Sequence, residues 1–173
     1  MLELTDLDQW QNDFLAFHER FAKIFKRSEP RKQAIKYVRG LMATVERKNG
    51  WHLAEAVGDE TPDSTQRLLY KACWDANKAR DLLQKFTISK FGDLNGIGVI
   101  DETGFLKKGE DSVGVQRQYS GTAGKVDNCQ IGTFLTYATT EGDHLFLDRR
   151  LYLPKSWAND SERRAKAKVP QEV

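Results

Sequence analysis

The stretch that decides the fold of this 173-residue chain is Gly98-Val-Ile-Asp-Glu-Thr-Gly-Phe105. Its apolar residues form a short β-branched run between glycines, and such a run is typical of a buried strand. The run ends at Asp101, which predicts a carboxylate at the end of a strand and therefore at an edge of a sheet. Two interpretations of Asp101 stay open on this pattern. It is a residue of a strand-end turn, which aspartate favours, or a group that binds a metal ion or transfers protons.

The residues after this stretch continue with the patterns of strands and turns. The sequence predicts a turn-bearing connection over residues 105–111, strands over 112–119, 128–138 and 144–147, and a hairpin turn at 141–143. The loop 120–125 ends in Gly124-Lys125 but is not a phosphate-binding P-loop, because only two residues separate its glycines and a strand is predicted after it. No apolar segment follows residue 157, so we expect the sheet to be incomplete.

The first half of the chain has the three- and four-residue apolar spacing of amphipathic helices. It predicts helices over residues 3–27, 31–46, 51–57 and 64–87, the first broken at most once. We interpret the apolar stripe of the first helix as core. The short third helix, a turn with Gly58 and the longer helix after it have the outline of a helix-turn-helix, which many corners that bind no DNA share. The prediction is an α+β chain, with a helical region over 1–88 and a sheet region over 89–173.

The charge distribution is more informative than the net charge of +2, which is too small to indicate an acidic partner. Between Arg20 and Arg39 the chain has eight lysines and arginines against the single acid Glu29. Such a cluster is either a phosphate-binding surface or a solvated helix face. The candidate DNA contacts in the helical region are Lys26, Arg27, Arg31, Lys32, Gln66, Arg67 and Lys71.

Other classes of protein are disfavoured by what the sequence lacks. No apolar run approaches the roughly 20 residues of a membrane span, and the N-terminus has no signal-peptide pattern. Cys73 and Cys129 lie 56 residues apart, which matches neither a metal-ligand pattern nor a disulfide framework. We therefore expect a cytoplasmic protein with no membrane partner and with two plain buried thiols.

Four blocks of the second half are familiar when they occur together in this order. They are Val99-Ile-Asp-Glu-Thr-Gly-Phe-Leu-Lys-Lys-Gly109, Gln118-Tyr-Ser-Gly-Thr-Ala-Gly124, Asn128-Cys-Gln-Ile-Gly132 and Leu151-Tyr-Leu-Pro-Lys-Ser-Trp157. Together they resemble insertion-sequence transposases of the DDE superfamily, of the DDE superfamily endonuclease type. The upstream segments 46–51 and 74–76 resemble the N-terminal part of the same proteins, so the resemblance covers nearly the whole chain.

The resemblance implies a ribonuclease-H-like catalytic core that follows a helical DNA-binding region. In this family three acidic residues hold two divalent metal ions, usually Mg²⁺, for DNA cleavage and strand transfer in transposition. One metal activates the attacking oxygen and the other stabilises the leaving oxygen. Asp101 matches the first ligand, as both a metal-binding and a catalytic residue, whereas its neighbour Glu102 points to the opposite face of a continuing strand. Lys107 and Lys108 are candidate phosphate contacts or residues of a solvated turn.

The chain departs from the family pattern in its acidic ligands. In the relatives the second and third ligands lie well beyond the block that ends at Trp157, and Asp143, Asp148 and Asp160 do not follow strands of the expected kind. We therefore predict a truncated transposase fragment with an incomplete ribonuclease-H-like core, which alone does not catalyse strand transfer. The alternatives are a non-catalytic DNA-binding remnant that competes for transposon ends and a decayed fragment without function. The expected partners of the chain are transposon-end DNA and other transposase subunits.

Overall fold

The computed structural model describes residues 4–170 and divides into two compact units, of which the first ends at Leu82 and the second begins at Leu83. The first unit is helical, and the second is built on an antiparallel sheet. The α+β class is therefore confirmed. The predicted start of the first helix at residue 3 lies outside the described residues. Among residues 4–170, no helix is both long enough and apolar enough to cross a membrane.

The helices of the chain are shorter and more numerous than the apolar periodicity predicts. They are α1 (Leu4–Glu19), α2 (Ser28–Met42), α3 (Gly50–Ala56), α4 (Asp63–Tyr70), α5 (Ala76–Phe91), α6 (Lys155–Ala158) and α7 (Ser161–Lys166), with a 3₁₀ turn at Ala22–Ile24. The break predicted within residues 3–27 lies between α1 and the 3₁₀ turn. The start of α3 is fixed by its N-cap residue Asn49, whose side-chain oxygen accepts hydrogen bonds from the backbone N–H groups of Trp51 and His52.

Within α1 the apolar stripe predicted over residues 3–27 is not core, which corrects the sequence interpretation for this part of the stripe, whereas Ile24 in the 3₁₀ turn is buried. No residue of α1 is buried, and Trp10 in the middle of the stripe is 58% exposed. The C-terminal half of the helix contacts α2, where the Arg39 guanidinium lies 5.5 Å from the centre of the Phe14 ring. Apolar spacing identifies which face of a helix is suited to burial, but it does not show that the chain supplies a partner for that face.

The helix predicted over residues 64–87 is wrong as a single element, because α4 and α5 are separated at residues 71–75. The Trp74 indole N–H donates to the Leu68 carbonyl over 3.0 Å, and Trp74 also forms an antiparallel β-bridge with Phe25. The next residue, Asp75, caps the start of α5 by accepting from the N–H groups of Asn77 and Lys78. An aspartate that offers its side chain to nearby backbone donors ends one helix and begins another.

The core of the first unit lies between α2, α3 and α4. Leu53 of α3 and Leu68 of α4 are buried there. Of the two thiols predicted to be buried, Cys73 is exposed, which corrects that prediction, and Cys129 is buried. Beside the two leucines is a buried polar cluster in which the Gln33 amide donates to the Asp59 carboxylate over 2.8 Å and to the Thr65 hydroxyl over 3.1 Å. This cluster ties α2 both to the turn after α3 and to α4, so the orientation of the α3–α4 corner is set by hydrogen bonds as well as by apolar contact.

The sheet of the second unit is organised around its longest strand. The strands are β1 (Ile97–Leu106), β2 (Gln116–Ser120), β3 (Lys125–Ala138) and β4 (His144–Leu151). All three other strands pair antiparallel with β3: β1 along residues 129–138, β2 along 125–129 and β4 along 132–138. The predicted strands and the turn at 141–143 are present, although β1 runs further and β2 begins later than expected.

The prediction of a buried β1 is wrong. Ile100 is 74% exposed, and Val99 is also exposed. The strand pairs with β3 alone, so its second edge is open within the described residues. β-Branched composition predicts that a segment is a strand, but burial depends on layers that pack on its faces, which the local pattern does not contain.

Candidate metal centre and DNA-contacting surfaces

Asp101 lies in the middle of β1 and not at its end, which corrects the expected position. Its partner across the ladder is Phe134 of β3, and Phe134 is in turn paired with Arg149 of β4. Residues paired directly across antiparallel strands have side chains on the same face. The Asp101 carboxylate is therefore exposed on the face that also carries Phe134 and Arg149, and its Oδ1 accepts a hydrogen bond from the Glu102 N–H over 2.8 Å.

Apart from Arg149, the neighbours of Asp101 on this face are largely apolar. Phe134 packs between two other rings, with centroid distances of 6.3 Å to Phe105 and 5.5 Å to Phe146. Phe105 and Phe146 are both exposed, as is Val99, which lies two residues before Asp101 on the same face. The strand thus presents one acidic side chain within an exposed apolar surface, and we call this surface the Asp101 face.

The other acidic residues of the region do not join Asp101. Glu102 is paired with Thr133 on the opposite face, and Asp148 is on that opposite face as well because it is paired with Leu135. Asp143 lies in the β3–β4 turn, and Asp160 caps α7 by accepting from the Arg163 N–H. Within residues 4–170, no three His, Cys, Asp or Glu side chains are grouped so that they could hold a metal ion. Among the described residues Asp101 is therefore a single candidate ligand without acidic neighbours that would complete a metal site.

Gly104, three residues after Asp101, is required by a close approach between two of the sequence blocks. A Cβ atom at this position would lie 2.3 Å from Ser120 Oγ, and Ser120 is buried at the end of β2. By contrast, the nearest atom to a Cβ at Gly98 is Leu135 Cδ1 at 3.6 Å, which is an ordinary contact. The glycine after the acidic pair therefore allows β2 to pack against β1.

We expect Gly104→Ala to lower the free energy of unfolding by about 1–3 kcal/mol, because the added methyl group overpacks the contact with Ser120. Urea unfolding followed by circular dichroism measures the change. Gly98→Ala is the matched control and should cost far less. Adding Ser120→Gly to Gly104→Ala should recover part of the loss, since it removes the colliding side chain. Equal losses for the two alanine variants would contradict this explanation.

The outward face of α4 is the best-formed candidate for reading bases. Thr65 and Leu68 are buried against α2, so the opposite side of the helix carries Gln66, Arg67 and Tyr70, all of which are exposed. Gln66 and Arg67 are among the DNA contacts predicted from the sequence, whereas Tyr70 is not. The signal that could have identified Tyr70 is its spacing of four residues from Gln66. Because both residues lie in α4, which ends at Tyr70, this spacing places their side chains on one face of the helix.

Three predicted cations of the first unit lie near the ends of the segments that the bridge between Phe25 and Trp74 brings together. Lys26 and Arg27 follow Phe25 directly, and Lys71 lies three residues before Trp74, where α4 ends. All three cations are exposed. Sequence spacing alone separates these residues by more than forty positions and does not predict the grouping.

The remaining candidate cations are placed differently. Arg31 forms an ion pair with Glu19 over 3.4 Å, and Lys32 is exposed on α2. Lys107 follows β1, and its backbone exchanges hydrogen bonds with Asn128 of β3: the Lys107 N–H donates to the Asn128 carbonyl, and the Asn128 amide donates to the Lys107 carbonyl, both over 2.9 Å. Lys108 next to it is exposed. The start of this loop is thus fixed to the sheet.

Comparison with known proteins identifies the family. The sequence profile of the family described as DDE superfamily endonuclease matches residues 20–173. A probable transposase for insertion sequence element IS701 from Microchaete diplosiphon is 34% identical over 97 residues, which cover 56% of this chain and 26% of that protein. The chain thus spans about a quarter of the length of this relative. No solved structure matches the present chain. With its helical unit followed by the antiparallel strands of a partial ribonuclease-H-like core, the chain belongs to the DDE superfamily endonucleases, the family of insertion-sequence transposases.

Proposed function

We propose that this chain binds transposon-end DNA through its helical region, residues 1–88, and carries in residues 89–173 the first part of a strand-transfer domain. The observation that carries the proposal is the outward face of α4, which exposes Gln66, Arg67 and Tyr70, and the exposed cations Lys26, Arg27 and Lys71 lie within three residues of the Phe25–Trp74 bridge that follows this helix. We call this combination the α4 surface. The proposed compartment is the cytoplasm, and other transposase subunits are the proposed protein partners.

The α4 surface has the chemistry of a DNA contact. An α-helix fits the major groove, where arginine bonds guanine and glutamine bonds adenine through paired hydrogen bonds. Lysines and arginines beside such a helix neutralise phosphates and release counterions, which supplies affinity without sequence preference. Arg31, already paired with Glu19, and the exposed Lys32 extend the charge along α2. Gln66 and Arg67 are therefore the proposed base contacts, and Lys26, Arg27 and Lys71 the proposed phosphate contacts.

For catalysis we propose that Asp101 is one metal ligand of a site that residues 4–170 do not complete. Members of the family use divalent metal ions, and the carboxylate oxygens of aspartate suit Mg²⁺. Two metal ions need several such ligands, and the Asp101 face offers one carboxylate beside the cation Arg149. The chain then acts as a truncated transposase, a proposal that rests on this single carboxylate and not on where the sequence ends.

A second candidate function follows from the same incomplete site. A chain that binds transposon ends without cutting them competes with intact transposase for those ends. This function needs only the α4 surface and predicts that DNA binding is independent of Asp101 and of added metal.

The test is the salt dependence of binding to a fluorescent duplex of mixed sequence, followed by anisotropy. Log affinity falls linearly with log salt, and each phosphate contact increases the magnitude of this negative slope by about 0.9. The triple variant Lys26→Gln, Arg27→Gln, Lys71→Gln should therefore lower the slope by about 2.7. The matched control removes three exposed lysines of the second unit, Lys155, Lys166 and Lys168, and so changes the net charge equally.

The outcome separates the α4 surface from general charge effects. An unchanged slope in the triple variant, or an equal fall in the control, overturns the proposed surface. Asp101→Ala should leave the affinity and the slope as they are, with or without Mg²⁺. On a duplex selected for tight binding, Arg67→Ala should weaken the binding free energy by about 1–3 kcal/mol, because it removes a base contact and not only a charge.

A further inference from the structure

The β2–β3 hairpin, residues 116–129, exposes an aromatic and an aliphatic side chain next to an arginine on one of its faces. Its inward face includes Ser120 and Cys129, both fully buried. Its outward face carries Arg117 and Tyr119 on β2, and Tyr119 is paired directly with Val126 on β3. Tyr119 is 62% exposed and Val126 is 54% exposed. An aromatic ring and an aliphatic side chain are thus held toward solvent beside the exposed Arg117.

Cations gather at the base of this outward face. Arg117 is paired with Asn128, whose side-chain amide also donates to the carbonyls of Lys107 and Gly109. Lys107 and Lys108 are thus held at the base of the hairpin, beside the pair that contains Arg117. The acid nearest to Arg117 on β3, Asp127, forms an ion pair with Lys125 over 2.8 Å, so its charge is already compensated.

The tip of the hairpin leaves room for a polymer backbone to approach. Residues 121–124 are Gly-Thr-Ala-Gly, and a Cβ atom at either glycine would have no neighbour within 4 Å. Gly124 has φ +65°, which this tight turn needs and which glycine adopts readily. The tip therefore carries no bulky side chain that would keep a ligand away from Tyr119 and Arg117.

We infer that the outward face of the β2–β3 hairpin binds single-stranded DNA, with Tyr119 stacked on an unpaired base and Arg117, Lys107 and Lys108 on the phosphates. The inference deepens the proposed function and rests on it, because strand transfer exposes unpaired DNA next to the cut. Aromatic rings flanked by cations bind unstacked bases, whereas in a duplex the base faces are already stacked and unavailable to Tyr119.

The test compares the full chain and its variants on fluorescent oligothymidylate and on a duplex of mixed sequence. Stacking on one base contributes about 1–3 kcal/mol, so Tyr119→Ala should weaken binding to the single strand about 5- to 150-fold. Tyr119→Phe keeps the ring and should bind within about twofold of the unchanged chain. Arg117→Gln should lower the salt slope on the single strand by about 0.7. The control is Tyr152→Ala, which removes another exposed tyrosine of the same unit.

Each outcome has a defined meaning for this surface. Selective loss in Tyr119→Ala with retention in Tyr119→Phe supports single-strand binding. The inference is overturned if oligothymidylate does not bind, if Tyr119→Ala binds it as tightly as the unchanged chain, or if the same loss appears on the duplex. Failure of the α4 surface is distinguishable, because it appears as an unchanged duplex salt slope in the Lys26, Arg27, Lys71 variant and leaves the tyrosine comparison intact.

Discussion

Replacement of Trp157 by alanine is expected to lower the free energy of unfolding of the second unit by about 3–5 kcal/mol. The indole is 1% exposed, and its N–H donates to the carbonyl of Val115, itself buried, over 2.8 Å. On its other side the guanidinium of Arg163 lies 3.8 Å from the ring centre. The variant leaves a cavity, removes the donor to a buried carbonyl and releases Arg163 from its cation–π contact. Several losses at one side chain explain the large effect.

The measurement is urea unfolding of the full chain followed by far-ultraviolet circular dichroism. Trp51→Ala is the matched control, because Trp51 is 60% exposed and its loss removes little buried surface. Trp157→Phe retains most of the packing and removes the donor to Val115, so it should fall between the two. A loss below about 1 kcal/mol in Trp157→Ala would show that the indole does not hold the second unit together.

The role of Trp157 gives a physical reason for one of the recognised sequence blocks. The block 151–157 begins at the last residue of β4 and ends in α6, where the chain turns back toward the segment before β2. Pro154 is buried in this turn, and the hydroxyl of Ser156 donates to the side-chain carbonyl of Gln116 over 2.6 Å. The block therefore connects the end of the sheet to its second strand, which sequence spacing alone does not reveal.

Much of the secondary structure could be predicted because it depends on local periodicity. Three- and four-residue spacing located the helical half, and alternation with glycine-bearing turns located β2, β3 and β4. The prediction failed where distant residues decide the outcome. The bridge from Phe25 to Trp74 divides the helix predicted over 64–87, and the ladder with β3 carries β1 past Asp101 to Leu106. Neither the bridge nor the ladder can be predicted from the local sequence pattern.

The candidate sites show the same limit. Asp101 was identified from the glycine-bounded strand and from the family resemblance, but the apolar character of its face depends on Phe134 and Phe146, which only strand register brings beside it. Tyr119 was described within an alternating strand, and its outward direction follows from the pairing with Val126. A single sequence contains the types of the residues, whereas the side of a sheet on which each one lies is fixed by register.

Replacement of Asp59 by alanine is expected to destabilise the first unit by about 2–4 kcal/mol, mainly through unpaired hydrogen bonds. The Asp59 carboxylate accepts from the Gln33 amide over 2.8 Å and from the Lys36 ammonium. Gln33 is buried, so its amide would lose one of its two acceptors and keep only Thr65. Lys36 is 42% exposed, and solvent screening keeps the ion-pair share of this loss small.

The effect of Asp59 should depend on pH in one direction. Burial by itself raises the pKa of Asp59, but the hydrogen bonds from Lys36 and Gln33 outweigh it and hold that pKa below its usual value. A carboxyl group with a lowered pKa in the folded state stabilises fully above its unfolded pKa of about 3.9, and that stability is lost as the pH falls through the lower folded pKa. The stability difference between the unchanged chain and Asp59→Ala should therefore be constant near neutral pH and shrink below about pH 4.

Urea unfolding at a series of pH values measures this difference, and Glu60→Ala, which removes the exposed neighbouring acid, is the control. Asp59→Asn should lose less than the alanine variant, because its amide oxygen still accepts from Gln33, and its loss should depend on pH in the same sense. Because Asp59 lies in the turn between α3 and α4 and Thr65 lies in α4, loosening this cluster should also weaken duplex binding by the α4 surface. A stability difference that grows as the pH falls, or an equal loss in Glu60→Ala, would mean that the cluster does not fix the α3–α4 corner.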